Sequence, residues 1–548
     1  MKTLKLIFPF TILAASTLFA GSAFHQAPES SAALANPVGK TAAAVKAGGL
    51  LFLTHCASCH GIGGKGSGNI PALIGKPVKN AADGELFWFL EKGSPENGMP
   101  PSNLNEKQRW QVISFIRSLS KNTEAPAGHS STPPPSAGPS LSDSPDPVTP
   151  FTDFRFEKPG QRHKILASDL PAPAPNSSVG NGPAIVAKPK KAWPQVPAGF
   201  KVQLFANGFD NPRLLRTAPN GDVFLCESDP GKIKVIRGVT LEGKAKQTEV
   251  FAHGLNRPYG IAFYPSGKSP EWIYVGDTDA VIRFPYRSGD LKAAGPPQKI
   301  ISLPERRGHW TRDLQFSLDG KRLFVAVGSA SNADDPDTTP AEKNRGVVMV
   351  MSPDGTHSRA FASGVRNAGG GLAVHPQSGE LWASVNERDG LGDNLVPDYI
   401  THLVEGGFYG WPWWYIGGHQ DPRHAGKHPE LQKELITPDV LLQPHHASLQ
   451  MLFYEASQFP STYRGDIFAT QHGSWNRSVR TGYELIRIPL HQNAKTTGDY
   501  EDFMTGFAVD SKSVWGRPVG VTTASDGCLL VSDDGSNSIC RVCYDKKS

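Results

Sequence analysis

From Asn211 onward the apolar residues come in short runs, paired across turns and closed by Asp, Glu or Gly. NGDVFLCESDPGKIKVI at Asn220 has a close echo in DGCLLVSDDGSNSICRV at Asp526. Between them stand PEWIYVGDTDAVIRF at Pro270, DGKRLFVAVGSA at Asp319, SGELWASVNERDG at Ser378 and RGDIFATQHGSW at Arg464. Each copy follows a lead run: NPRLLRTAP at Asn211, RPYGIAFYP at Arg257, HWTRDLQFS at His309, RNAGGGLAVHP at Arg366, HHASLQMLFY at His445 and RPVGVTTAS at Arg517. A lead strand, a turn, a second strand and a polar loop form the inner hairpin of a propeller blade. Six such units predict an all-β six-bladed propeller over 151–548, with loop insertions explaining the uneven spacing. An open β-sandwich is the architectural alternative.

The first part of the chain has another rhythm. TAAAVKAGGLLFLTH, from Thr41, reads as a helix, and Trp110, Val112, Ile113, Phe115, Ile116 and Leu119 recur at helical spacing. A small all-α domain over 39–121 is expected. Residues 122–150 are rich in Pro, Ser, Gly and Ala and almost without large apolar side chains, the composition of an extended tether. At the start, Lys2 and Lys5 precede an apolar stretch from Leu6 to Phe19, and small residues follow. This is the layout of a signal peptide over 1–23, cleaved after Ala20 or Ala23. The stretch is short for a retained membrane anchor. An exported, periplasmic protein with no stable membrane insertion is the expectation.

Composition narrows the picture. A chain of 548 residues needs two or more cores. With 20% charged residues, a net charge of +5 and no long run of one sign, it is suited neither to nucleic acid nor to an anionic membrane. Gly 57 and Pro 47 agree with a turn-rich β architecture. Six cysteines are too sparse for a disulfide framework in a chain of this size. Cys540 and Cys543 are an odd number of residues apart on one strand and so point to opposite faces. Cys528 and Cys540 lie equally far from a turn at Asp534, which makes them a candidate cross-strand disulfide.

Cys56-Ala57-Ser58-Cys59-His60 carries the chemistry of the first domain. A thioredoxin-like site would need a βαβ context and a zinc site a second ligand pair, and neither surrounds it. C-x-x-C-H in an exported chain is the attachment pattern for haem c. Cys56 and Cys59 form the thioethers, and His60 becomes the proximal iron ligand. Met99, in a Gly-Met-Pro-Pro loop ahead of the closing helix, is the second axial ligand. A thioether there raises the haem potential and suits electron transfer. Residues 39–121 resemble a class I cytochrome c in these four anchors.

If the lead strands are innermost, their first residues converge at one end of the channel. Those are Arg257, His309, Arg312, Arg366, Asn367, His445 and Arg517, joined by Asp277, Glu387, Asp389, His472, Arg477 and Asp533 from the loops after the second strands. Such a ring of buried cations is costly unless it meets an anion. A planar, multiply charged anionic ligand is implied, with Arg forks for its carboxylates.

GHWTRDL (from Gly308), GVRNAGGGLAVHP (from Gly364), NERDGLGDNLVPDY (from Asn386), GGFYGWPWWYIGG (from Gly406), HGSWNRSVRTGY (from His472) and VWGRPVGV (from Val514) occur in order. Together they resemble the sorbosone and pyranose dehydrogenase group of quinoprotein propellers, over roughly Pro159 to the C-terminus. The resemblance implies a propeller that binds pyrroloquinoline quinone (PQQ) and Ca2+ and oxidises a sugar or aldehyde at C1. By the same resemblance His309 is the general base and Arg366 the group facing the quinone oxygens. Asn367 seats the quinone, and Arg257, Arg312, His445 and Arg517 are candidates for its remaining polar groups. Calcium is placed on oxygens near Glu387, Arg388 and Asp389. A tethered haem would pass the electrons to an external acceptor. A non-catalytic binding propeller with a cytochrome attached is the alternative function.

Overall fold

The computed structural model describes residues 27–56, 60, 64, 72–74, 76–94, 99, 102, 104–119, 149–304, 308–491 and 495–545. The expected signal peptide, Cys59 and nearly all of the expected tether lie outside them. The chain divides into two compact units, Met1–Pro135 and Ser136–Ser548.

The smaller unit is helical: Ala42–His55, Asp83–Lys92 and Glu106–Leu119 are its main helices. The first starts where the Thr41 hydroxyl accepts from Ala44 N, and the last where Asn105 and Gln108 cap each other reciprocally. These two helices cross at Gly48, where a Cβ would lie 1.8 Å from the Gln111 carbonyl oxygen. Only glycine allows so close an approach. Around the crossing Phe52, Leu86, Leu90, Trp110, Val112, Ile113 and Ile116 form one buried cluster, with Cys56 and Met99 packed against it.

The larger unit is a six-bladed β-propeller of four-stranded antiparallel sheets. Five of its second strands, Val223–Glu227, Leu323–Val327, Leu381–Val385, Ile467–Gln471 and Leu529–Asp533, are buried at every position, and in the sixth, Trp272–Asp277, only Trp272 is half-buried. Short continuous apolar runs bounded by turns give such strands. The innermost strands come from the lead runs: Pro212–Thr217, Gly260–Tyr264, Leu314–Phe316, Gly371–Val374, Ser448–Phe453 and Pro518–Thr523, for blades 1 to 6. Each touches the next, and the sixth touches the first, so the ring is closed.

The closure itself uses both ends of the unit. The outermost strand of blade 6 is Phe200–Asn207, paired antiparallel with Ser538–Tyr544. Ahead of it a strap crosses blade 5, adding Arg162–Lys164 as a fifth strand against Asp499–Glu501. An insertion follows the third strand of blade 4, Pro397–His402, and carries the short pair Trp414–Tyr415 and His419–Gln420. No helix among the described residues is long and apolar enough to cross a membrane.

The disulfide differs from the expected pair: Cys528 is joined to Cys543, with Cα atoms 4.8 Å apart. The hairpin register pairs Asp533 with Ser538 and Leu529 with Val542. Its turn is therefore centred after Gly535 rather than at Asp534, which brings Cys543 opposite Cys528. Cys540 pairs in register with Val531 and keeps a buried thiol.

Candidate functional site

Strand direction brings the starts of the lead strands and the ends of the second strands to one face of the propeller. His309 is held there by blade 3. Its backbone N–H donates to Ser329 O, and its Nδ1 lies 3.1 Å from the same carbonyl and 3.0 Å from Ser329 Oγ. A carbonyl only accepts, so Nδ1 carries the proton and Nε2 is the basic nitrogen. Burial, reinforced by the Arg366 guanidinium, pushes the His309 pKa down to about 3. The imidazole is therefore neutral. Gly328 makes room for it: a Cβ there would lie 2.7 Å from His309 Cβ and 2.5 Å from Asn367 Oδ1.

Arg366 does not stand free. Nε and a terminal nitrogen donate to Asn332 O and Oδ1, each at 3.0 Å, and the other terminal nitrogen donates to Glu387 O at 2.7 Å. It ties the loop after blade 3's second strand to the loop after blade 4's. Asn332 completes the tie by accepting from Asp389 N and donating to Asp389 O. His445 joins from blade 5, with Nδ1 3.0 Å from Asp389 Oδ1 and Nε2 3.1 Å from Gly392 O. Burial raises the Asp389 pKa, but His445 and Arg366 outweigh it and hold the carboxyl below its usual range. Burial pushes Glu387 up to about 8. Arg388 turns away to Asp421 at 2.8 Å.

A second cluster joins blades 1, 5 and 6. Asp534 receives Arg213 and His472 and lies 3.5 Å from Arg517 Nε. His472 accepts from Arg517 at Nδ1, so its Nε2–H faces Asp534. Arg257 and Arg213 both approach Trp310, with guanidinium carbons 3.9 Å and 5.6 Å from its ring centroid. Arg257 also pairs with Asp229 at 3.1 Å.

Three expected site residues are placed differently. Arg312 is wholly buried and donates to the carbonyls of His309, Thr311 and Pro304. Its two terminal nitrogens brace the backbone under His309. Asp533 is spent on the turn, accepting from the N–H groups of Arg517, Gly535 and Ser536. Arg477 is held by Asn394 beneath the strap, where Asn181 binds the Arg477 carbonyl. The residues not foreseen are Arg213, Ser329, Asn332 and Asp534. Arg213 was visible as the third residue of its lead run, and Asp534 as the second member of an Asp pair. Asn332 lies in a polar loop with no distinguishing pattern.

The donor set fits a planar polyanion. Arg213 Nε and Arg517 Nε are buried and have no hydrogen-bond partner among the described residues, and Arg257 is half-exposed over an aromatic face. Such donors call for carboxylates. The cation expected near Glu387 to Asp389 meets carbonyls already engaged: Glu387 O by Arg366, Asp389 O by Asn332 and Arg388. The other oxygens of that loop are the Glu387 and Asp389 carboxylates and the Arg388 carbonyl, all of the kind calcium takes. Asp277, another loop residue of the face, keeps one buried oxygen without a partner among the described residues.

In the smaller unit His60 is buried, and its N–H donates to Cys56 O at 2.9 Å. Met99 exchanges two backbone hydrogen bonds with Ser94. Cys56 and Met99 pack against one small core, and Trp110 Nε1 in it is buried without a partner among the described residues. This donor set fits a covalently held haem.

Comparison with known proteins agrees with this division. Residues 194–398 and 420–544 match the TrAA12-like family, and residues 43–116 match cytochrome c oxidase, cbb3-type, subunit III. A pyrroloquinoline quinone-dependent pyranose dehydrogenase from Coprinopsis cinerea is 22% identical over 401 residues, covering 62% of this chain and 53% of that protein. The chain thus spans about half the length of that relative. The holo PQQ domain of the Coprinopsis cinerea pyranose dehydrogenase superposes with a TM-score of 0.55 at 19% identity, over 65% of this chain and 98% of that one. The calcium structure of the Trichoderma reesei family AA12 enzyme also scores 0.55, at 18% identity, over 64% and 97%. At such identities the likeness establishes a shared propeller. The family match spans well over half of the chain, which therefore belongs to the TrAA12-like family, with a cytochrome c domain ahead of its propeller.

Proposed function

We propose that the chain is a periplasmic quinohaemoprotein dehydrogenase that oxidises a sugar or aldehyde at C1 to the lactone or acid. The observation that carries this reading is the fixed tautomer of His309: a neutral imidazole with a bare Nε2 on the face where unpartnered arginine donors gather. The relatives bear PQQ in their names, and the charged-then-apolar N-terminus supports export.

Bound PQQ would supply the two-electron hydride acceptor, and haem c the one-electron relay to an external carrier. The chain's own residues do the rest. Nε2 of His309 takes the proton from the substrate hydroxyl as the C1 hydrogen leaves with its electron pair. Ser329 holds the ring in the tautomer that makes this transfer available. Arg213, Arg257 and Arg517 would bind and orient the cofactor carboxylates, and Asn367, whose Oδ1 accepts from Gly369 N, would help seat the quinone. Arg366 keeps the loop of Glu387 to Asp389 in place, and its charge favours the negative charge that develops on the acceptor. Glu387, Arg388 and Asp389 would hold calcium as a Lewis acid.

The test is haem reduction in the haem-loaded full chain after adding calcium and PQQ, across aldoses, ketoses and aldehydes. A reduced haem spectrum that needs PQQ and is lost in His309→Ala is expected. Failure to bind PQQ would remove the quinoprotein reading and leave a binding propeller.

A further inference from the structure

Inside blade 5, Glu157, His446 and Glu484 bring their ligand atoms within 4.8 Å of one another. They come from three parts of the chain: the strap, the lead run of blade 5 and the start of its third strand. His446 and Glu484 are 0% exposed and Glu157 9%. The hydrogen bonds around them settle their protons. The Thr481 hydroxyl donates to Glu157 Oε1 at 3.3 Å, and Gly482 N donates to the same oxygen at 2.7 Å. A hydroxyl has one proton to give. Thr481 Oγ therefore accepts from His446 Nε2, 2.9 Å away. That leaves His446 Nδ1 as a bare lone pair, and it has no partner among the described residues. Glu484 is buried as well, and its carboxyl shares a hydrogen bond with the Asp502 carboxyl.

This arrangement is expensive as it stands. Asp502 lies beside it, with one oxygen accepting from Lys158 N and the other 2.8 Å from His163 Nε2. Among the described residues no Lys or Arg forms an ion pair with Glu157 or Glu484. Three desolvated carboxyl groups and an imidazole lone pair crowd together, and the Arg477 charge near Glu157 and His163 at Asp502 offset this only in part. A divalent cation would take the His446 lone pair and one oxygen each from Glu157 and Glu484, and so relieve the crowding.

We propose that Glu157, His446 and Glu484 bind one divalent first-row transition metal, of which zinc is the type. The nitrogen donor separates this site from one for calcium, which takes oxygen ligands only. His446 also meets the usual condition for a metal-bound imidazole, since its other ring N–H is held by Thr481. The site is closed, so the role is structural: the ion fastens the strap to blade 5. Because His446 follows His445, the same ion fixes the lead run that reaches the candidate active face.

The experiment uses the full chain, stripped with EDTA, loaded with Zn2+ alone and exchanged into metal-free buffer before elemental analysis. About one zinc per chain, distinct from haem iron, is expected to stay bound. In Glu484→Gln its affinity should fall about tenfold or more, with the haem spectrum unchanged. Wild-type protein that retains no zinc overturns the proposal, as does a variant that retains as much as wild type. Should the variant not fold, anomalous scattering from zinc-loaded wild-type crystals decides: a peak between the three side chains supports the site, and its absence removes it.

Discussion

His309 Nδ1 lies 3.1 Å from the Ser329 carbonyl, and that one contact decides which nitrogen of the ring can act as a base. Replacing His309 by Gln should lower kcat by about a hundredfold to ten-thousandfold, the usual range for a lost general base. PQQ affinity should change little. Ser329→Ala keeps the carbonyl and should cost far less. Steady-state kinetics at saturating PQQ, with a separate PQQ titration, checks both; equal losses in the two variants would contradict the assignment.

Arg517 tests the cofactor cradle. Its Nε is an orphaned donor beside Asp534, and a charge-assisted hydrogen bond contributes about 1.5–3 kcal/mol. Arg517→Ala should therefore weaken PQQ binding by about tenfold to a hundredfold. Once saturated with PQQ, the variant should keep most of its kcat. A kcat loss with unchanged PQQ affinity would place Arg517 with the substrate instead.

Blade 6 should respond to reduction. Cys528 and Cys543 are 15 residues apart, and a loop of that length makes a disulfide contribute about 3 kcal/mol. Dithiothreitol should lower the melting temperature of wild type and of Cys540→Ser. Cys543→Ser should start lower and not respond. A response in Cys543→Ser would mean that Cys528 pairs elsewhere.

His472 gives the propeller a pH dependence of known sign. Burial and Arg517 lower its pKa to about 4 in the folded chain, against about 6.5 for a free imidazole. Between these values the unfolded chain binds a proton that the folded one refuses. Stability is therefore lost as pH falls through that window. His472→Asn lacks this contribution. In PQQ-free protein, wild type should lose more thermal stability than the variant between about pH 7 and about pH 4.5. Parallel curves would show that His472 titrates normally.

Much of the architecture was legible because its signal is local. Each lead strand and second strand is a short apolar run closed by a turn, and the run alone fixes strand, turn and face. His309 and Arg366 stand at the starts of lead runs, where the pattern puts them. What depends on more than one run was not visible. Arg312 sits in a lead run yet points into the wall, because Pro304 and the carbonyls of its own run capture its fork. The disulfide was misassigned by a shift of the hairpin centre that only register reveals. The site of Glu157, His446 and Glu484 joins residues hundreds of positions apart, and no spacing rule reaches across the strap.

The outermost strand of blade 6 is the propeller's first long strand, Phe200–Asn207, and its partner is the last, Ser538–Tyr544. During synthesis the helices of the smaller unit can assemble once Leu119 has emerged. The ring, by contrast, stays open until its final strand arrives. Until then both strands flanking the gap present unpaired backbone edges. Export, as proposed above, would add a further delay, since the two ends must find each other after crossing the membrane. The smaller unit can thus be finished while the larger one is still a sticky, unclosed arc, and loss of a few C-terminal residues would leave that arc permanently open to aggregation.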